Sequence, residues 1–103
     1  MKKINKITAG LACLALSAGV MAQGVTDDEV LLGTSTALSG PAALWGVAAS
    51  QAAQIRFDMV NENGGVHGRQ IRVVLEDHQY QVPIHVKAMN KLLNLDKVFA
   101  TFN

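Results

Sequence analysis

The sequence predicts an α/β fold built on a parallel sheet, and three observations carry that prediction. Short apolar runs rich in β-branched residues alternate with longer helical stretches in the order β, α, β, α, β. Glycine-rich or polar breaks separate them, as at Gly64-Gly65-Val66-His67-Gly68-Arg69 and His78-Gln79-Tyr80-Gln81. The first run, Val30 to Ala37, passes from apolar to small hydroxyl residues without strict alternation, the pattern of a parallel strand buried on both faces. Two successive β-α-β units imply right-handed crossovers.

A leader precedes this pattern. Basic Lys2, Lys3 and Lys6 stand before an apolar run from Ile7 to Met21, and Val20-Met21-Ala22 offers a small-residue cleavage site before Gln23. Residues 1–22 therefore read as a secretory signal peptide, which directs the rest of the chain out of the cytoplasm. A membrane-spanning helix needs about 20 predominantly apolar residues; this run is shorter and is interrupted by Thr8, Gly10, Ser17 and Gly19. Cys13 follows Gly10-Leu11-Ala12, a loose match to a bacterial lipoprotein box with glycine where an aliphatic residue belongs. Lipidation there is the minor alternative.

Removing the leader reverses the charge. Three of the nine Lys and Arg residues lie within it and all eight acids lie beyond it, so residues 23–103 carry six bases against eight acids, a net charge of −2. Such a segment lacks the basic patch that nucleic acid or an anionic lipid surface requires. The one cysteine also leaves with the leader, so residues 23–103 have no thiol chemistry and tolerate an oxidising compartment.

Gly24 to Glu29 is a polar lead-in whose three adjacent acids form a solvated start to the first strand. A helix follows from Ala43 to Asn61. At about 100° per residue, Ala48, Ala52, Ile55 and Met59 fall on one stripe with Ala49, Ala53 and Val60 beside it. Ser50, Gln51, Gln54, Asp58, Asn61 and Glu62 gather opposite. The apolar stripe is expected to lie on the sheet, with Arg56 snorkelling at its margin. Gly64 or Gly65 ends the helix in the left-handed conformation. Gln70 to Asp77 forms the second strand, and its polar carboxyl end faces the same edge as the loop after the first. Val82-Pro83 opens a second helix with Val86, Met89, Leu92 and Leu93 as its buried stripe and Lys87 and Lys91 on the wet face. Val98 to Phe102 begins a third strand, and the chain breaks off there in mid-run, as a fragment would.

Catalytic and metal-binding patterns find little support. His67, His78 and His85 have no recognised ligand spacing, so no metal site and no cofactor is expected. Gly33-Thr34-Ser35-Thr36-Ala37 departs from a nucleophile elbow at its last residue, and its serine lies within a strand. Glu76 and Asp77 point to opposite faces of a strand and make a poor acid–base pair. The glycines of Gly64 to Arg69 follow a helix and precede a strand, the reverse of a phosphate cradle. The chain does not read as an enzyme.

The better site is the loop Leu38-Ser39-Gly40-Pro41-Ala42-Ala43-Leu44-Trp45-Gly46. In open α/β sheets ligands bind beyond the carboxyl ends of the strands. Gly40 permits close approach to the backbone, Pro41 stiffens the loop, and the helix start is expected to offer unpaired N–H groups to a carboxylate. Trp45 adds a broad apolar face and an indole N–H; the residues alone leave open whether it contacts a ligand or belongs to the core. Tyr80, at the end of the second strand, is a secondary candidate.

Together these segments resemble the periplasmic solute-binding proteins of the leucine, isoleucine and valine binding type. The matching residues are Val30-Leu31-Leu32-Gly33, Leu38-Ser39-Gly40-Pro41, Trp45-Gly46, Phe57-Asp58-Met59-Val60-Asn61-Glu62, Gly64 to Arg69, Glu76-Asp77 and Lys97-Val98-Phe99, in the family's order. The resemblance implies a flavodoxin-like lobe of a type I periplasmic-binding fold, of which residues 23–103 are the truncated N-terminal part. It implies a small-molecule ligand, an amino acid or amide-like solute, delivered to the membrane permease of an ABC transporter. At full length the protein is expected to be a monomer. Trp45 occupies the place of an aromatic ligand contact, where many members have tyrosine, with Ser39 and Gly40 beside it. The serine and threonine donors for an amino-acid carboxylate follow the third strand, beyond Asn103. A sensor of the same fold, or an enzyme of flavodoxin-like architecture, are the alternatives.

Overall fold

A computed structural model describes Gly19 and residues 21–103; the basic start of the leader and Cys13 lie outside the described residues. The elements are β1 (Glu29–Thr36), α1 (Ala43–Glu62), β2 (Gln70–Asp77), α2 (Val82–Asn94) and β3 (Ala100–Thr101). All three strands are parallel, in the order β2-β1-β3. β1 pairs with β2 from Glu29↔Gln70 to Thr36↔Asp77, and with β3 at Leu32↔Ala100 and Gly33↔Thr101.

This order places the two helices on opposite faces. The chain moves from β1 to one side and then crosses β1 to reach the other, and right-handed crossovers in opposite directions put their helices on opposite faces. Alternation along β1 agrees: Thr34 meets Ser50, Ala53 and Phe57 of α1, whereas Gly33 lies under Leu92 of α2 and Ser35 meets His85 of α2. Leu92 and Val98, fully enclosed or nearly so, form the core on the α2 side. A Cβ on Gly33 would come within 3.0 Å of Leu92, so glycine is what lets α2 settle this close.

On the other face, α1 sits the opposite way round from the expected stripe. Gly46, Ser50, Ala53, Phe57, Val60 and Asn61 face the sheet, while Ala48, Ala52, Ile55 and Met59 are exposed. An alanine-rich helix has apolar surface nearly all round, so its rotation is set by specific contacts. Gly46 packs against the Ala37 backbone, where a Cβ would stand 1.9 Å from the carbonyl oxygen. Phe57 meets Phe102 edge to face at 5.5 Å. The Asn61 amide donates to the Ile71 carbonyl (2.9 Å) and accepts from the Ile71 N–H (2.7 Å), capping the free edge of β2. Ser50 is tolerated inside because its hydroxyl donates to the Gly46 carbonyl, 2.7 Å away.

α2 needs a smaller correction. Leu92 and Ala88 are buried, but Val86 and Leu93 are exposed. Lys91 is half-buried rather than on the wet face, since its ammonium bridges Glu76 and Asp96. Asp96 first, then Glu76, hold that ammonium above the ordinary lysine range. The lead-in is also tied down: Gln23 donates to the carbonyls of Leu93 and Val98, at 3.2 Å each, and Gly24 (φ 73°) passes against Phe99 with no room for a Cβ.

Candidate functional site

A sheet ordered β2-β1-β3 has its direction of winding reversed at β1, and the crevice outside the carboxyl end of such a strand is where open α/β sheets hold ligands. Three segments gather at that edge: the β1–α1 loop, the β2–α2 turn and the residues after β3.

The first two are stitched together by Asp77. Its carboxylate accepts from the Leu38 N–H (2.9 Å), the Ser39 hydroxyl (2.6 Å) and the Gln79 N–H (2.8 Å). The Ser39 hydroxyl, followed by the backbone donors, lowers the Asp77 carboxyl from 3.8 to about 2. Glu76, one residue earlier, points the other way to Lys91, so the two acids act on different elements. The His78 N–H donates to the Thr36 carbonyl at 3.0 Å, extending the β1–β2 contact past the strands.

Ser39 gives its hydroxyl hydrogen to Asp77 and keeps only lone pairs free. Gly40 has φ 79° and faces the Gln79 carbonyl, which a Cβ would approach to 3.3 Å; glycine here lets the two loops close on each other. Trp45 stands in the first turn of α1 with 78% of its surface exposed. Tyr80 is also exposed, and it lines a cavity of about 410 Å³ with His78, Gln81, Val82, His85 and Asn103. Ser39 and Gly40 thus belong to one cluster and Tyr80 to another along the same edge.

The expected row of free N–H groups at the start of α1 is mostly used up. Ala43 N–H bonds to the Gly40 carbonyl, and Trp45 and Gly46 N–H both reach the Ala42 carbonyl. The tight turn through Gly40-Pro41-Ala42 closes the helix end on itself.

Sequence spacing missed the histidines. His78 and His85 are seven residues apart, yet their rings stand edge to face with centroids 5.1 Å apart. The cause is the turn between them. Gln79 and Tyr80 both adopt left-handed conformations (φ 54° and 58°), and the Gln81 N–H closes onto the His78 carbonyl at 2.8 Å. This is a type I′ turn, usually built with asparagine and glycine. No residue type there announces it. No group of three or more metal-ligating side chains occurs among the described residues.

A family model described as periplasmic binding protein matches residues 29–103. The leucine-specific-binding protein of Salmonella typhimurium is 31% identical over 93 residues, which is 90% of this chain and 24% of that protein. A fatty acid ABC transporter substrate-binding protein from Thermomonospora curvata is similar at 38% identity and TM-score 0.72, over 79% of this chain and 20% of that one. A branched-chain amino acid transporter substrate binding protein from Streptococcus pneumoniae, solved with isoleucine, is similar at 30% identity and TM-score 0.70, over 72% and 21%. The chain spans about a quarter of the length of its curated relative.

Proposed function

This chain belongs to the periplasmic binding protein family, and from that premise we propose that it is the start of the first lobe of a solute-binding protein serving an ABC importer. Residues 1–22 direct export and are removed; the remaining lobe and its partner are supplied by further sequence. The second lobe closes over the solute, and the closed form docks on a membrane permease. The relatives named above bind different solutes that share one chemistry, a carboxylate carrying an aliphatic chain. An amino acid fits that description, and an amide-like solute is the related alternative.

The observation that carries this reading is the exposure of Trp45 at the carboxyl edge, beside a loop locked to the end of β2 by Asp77. The ring stands on the first turn of α1, next to that loop, and offers an apolar face that a captured aliphatic chain would cover. Ser39, Gly40 and Tyr80 line the same rim. The test is titration of the mature protein, expressed with the full reading frame, against leucine, isoleucine, valine and small amides, read by calorimetry and by indole fluorescence. Saturable binding that Trp45→Ala weakens at least tenfold is expected. Equal affinity in Trp45→Ala refutes the placement of the ligand.

A further inference from the structure

We infer that Asp77 is a positioning residue for solute capture: its carboxylate makes the β1–α1 loop and the β2–α2 turn a single jaw, so that the rim carrying Ser39, Gly40 and Trp45 is set before a solute arrives. The inference rests on the reading above, in which those residues meet the solute, and adds how their placement is held.

The β1–β2 ladder ends at Thr36↔Asp77, and beyond it the two chains diverge into loops whose amides need acceptors other than a strand. Asp77 supplies them at the point of divergence. Its Oδ1 accepts the Leu38 N–H of the first loop at 2.9 Å and the Gln79 N–H of the second at 2.8 Å, while Oδ2 accepts the Ser39 hydroxyl at 2.6 Å. An ionised carboxylate has no proton to give, so the direction of all three bonds is settled. Its two oxygens serve donors from both loops at once, which ties the loops to each other as well as to β2.

Both loops depend on that clamp. Gln79 and Tyr80 are left-handed, at φ 54° and 58°, a conformation that residues other than glycine hold only where surrounding contacts over-determine it. Two side chains do so here: Asp77 takes the Gln79 N–H, and His78 Nδ1 takes the Tyr80 N–H at 3.0 Å. Across the gap, Gly40 packs so near the Gln79 carbonyl that a Cβ would stand 3.3 Å from it. From Gly40 the chain closes at once, with the Ala43 N–H on the Gly40 carbonyl at 3.2 Å and the Trp45 N–H on the Ala42 carbonyl at 3.1 Å. A continuous run of bonds therefore leads from Asp77 through Ser39 and Gly40 to the backbone of Trp45. Gly46, packed on the Ala37 backbone, fixes the far end of the loop, and Asp77 fixes the near end. A loop that the solute itself must order binds it more weakly, in proportion to the fraction of molecules already in the competent form.

The test titrates leucine into the mature protein, expressed with the full reading frame, and compares the parent with Asp77→Ala and Asp77→Asn. Alanine leaves all three donors without their acceptor and is expected to weaken binding about tenfold, as when about one molecule in ten holds the jaw formed. Asparagine restores most of the affinity, because its Oδ1 keeps both backbone donors and its amide donates to the Ser39 oxygen. Amide exchange gives the second readout. In solute-free Asp77→Ala, residues 38–45 and 79–81 lose protection together while Ile71, held by Asn61, keeps its own, and saturating leucine restores the lost protection. A purely structural role for Asp77 lowers stability in urea and leaves the leucine affinity of the folded protein unchanged; that result, or loss of protection in only one of the two loops, overturns the inference. If Asp77→Ala weakens leucine binding and Trp45→Ala does not, the jaw stands and the placement of the solute on Trp45 falls. The reverse pattern refutes the jaw and leaves that placement standing.

Discussion

Gly46→Ala is the sharpest test of how α1 is seated. In an exposed helix interior this change gains about 1 kcal/mol, because alanine is the better helix former. At Gly46 the new Cβ would stand 1.9 Å from the Ala37 carbonyl oxygen and 2.6 Å from its carbon. Ordinary contact begins at 3.4 Å, so the first turn of α1 must retreat from β1 by roughly 1.5 Å, and overpacking of that kind costs about 1–3 kcal/mol. Neither opposing atom can rotate aside, since both are backbone. The expected net is a loss of about 0–2 kcal/mol, so the gain of about 1 kcal/mol expected from propensity is cancelled or reversed. Urea unfolding of the mature protein, made from the full reading frame, measures it, with amide exchange over residues 38–47 locating the damage. Ala48→Gly, two residues on and exposed, serves as the control and should lose about 1 kcal/mol without faster exchange in the β1–α1 loop. A Gly46→Ala protein stabilised by about 1 kcal/mol, with Ala48→Gly behaving as stated, refutes the orientation of α1 against Ala37.

Three further outcomes are expected. Asp77→Asn removes the charged acceptor that ties Leu38, Ser39 and Gln79, so amide exchange at those three residues accelerates near neutral pH. In the parent protein the Asp77 carboxyl is depressed from 3.8 to about 2. Its contribution is therefore complete above about pH 4 and disappears as the pH falls through about 2, and an acid titration of Asp77→Asn should lack that component. Asn61→Ala strips both hydrogen bonds from Ile71 and should cost about 1–3 kcal/mol in urea unfolding, because each bond contributes about 0.5–1.5 kcal/mol. Leu92→Ala empties the best-enclosed position over Gly33 and should cost about 2–5 kcal/mol, measured the same way.

Much of this molecule follows from local sequence alone. Strand and helix order, the start of α2 at Val82-Pro83, the left-handed Gly64-Gly65 and the shared rim of the first two loops depend on neighbours within a few residues, where turn chemistry and short-range period act. The family likeness is legible for the same reason, since its motifs sit in consecutive loops. What the residues do not encode locally is rotation, strand order and long-range pairing. Ala48, Ala52, Ile55 and Met59 make as good an apolar stripe as Gly46, Ala53, Phe57 and Val60, and only contact with Ala37, Ile71 and Phe102 selects between them. β3 could lie beside either neighbour until pairing with β1 sets the reversal that opens the crevice. The meeting of His78 with His85, and of Asp77 with Ser39, comes from backbone dihedrals and sheet register, quantities that no single residue type specifies and that only packing across the whole sheet decides.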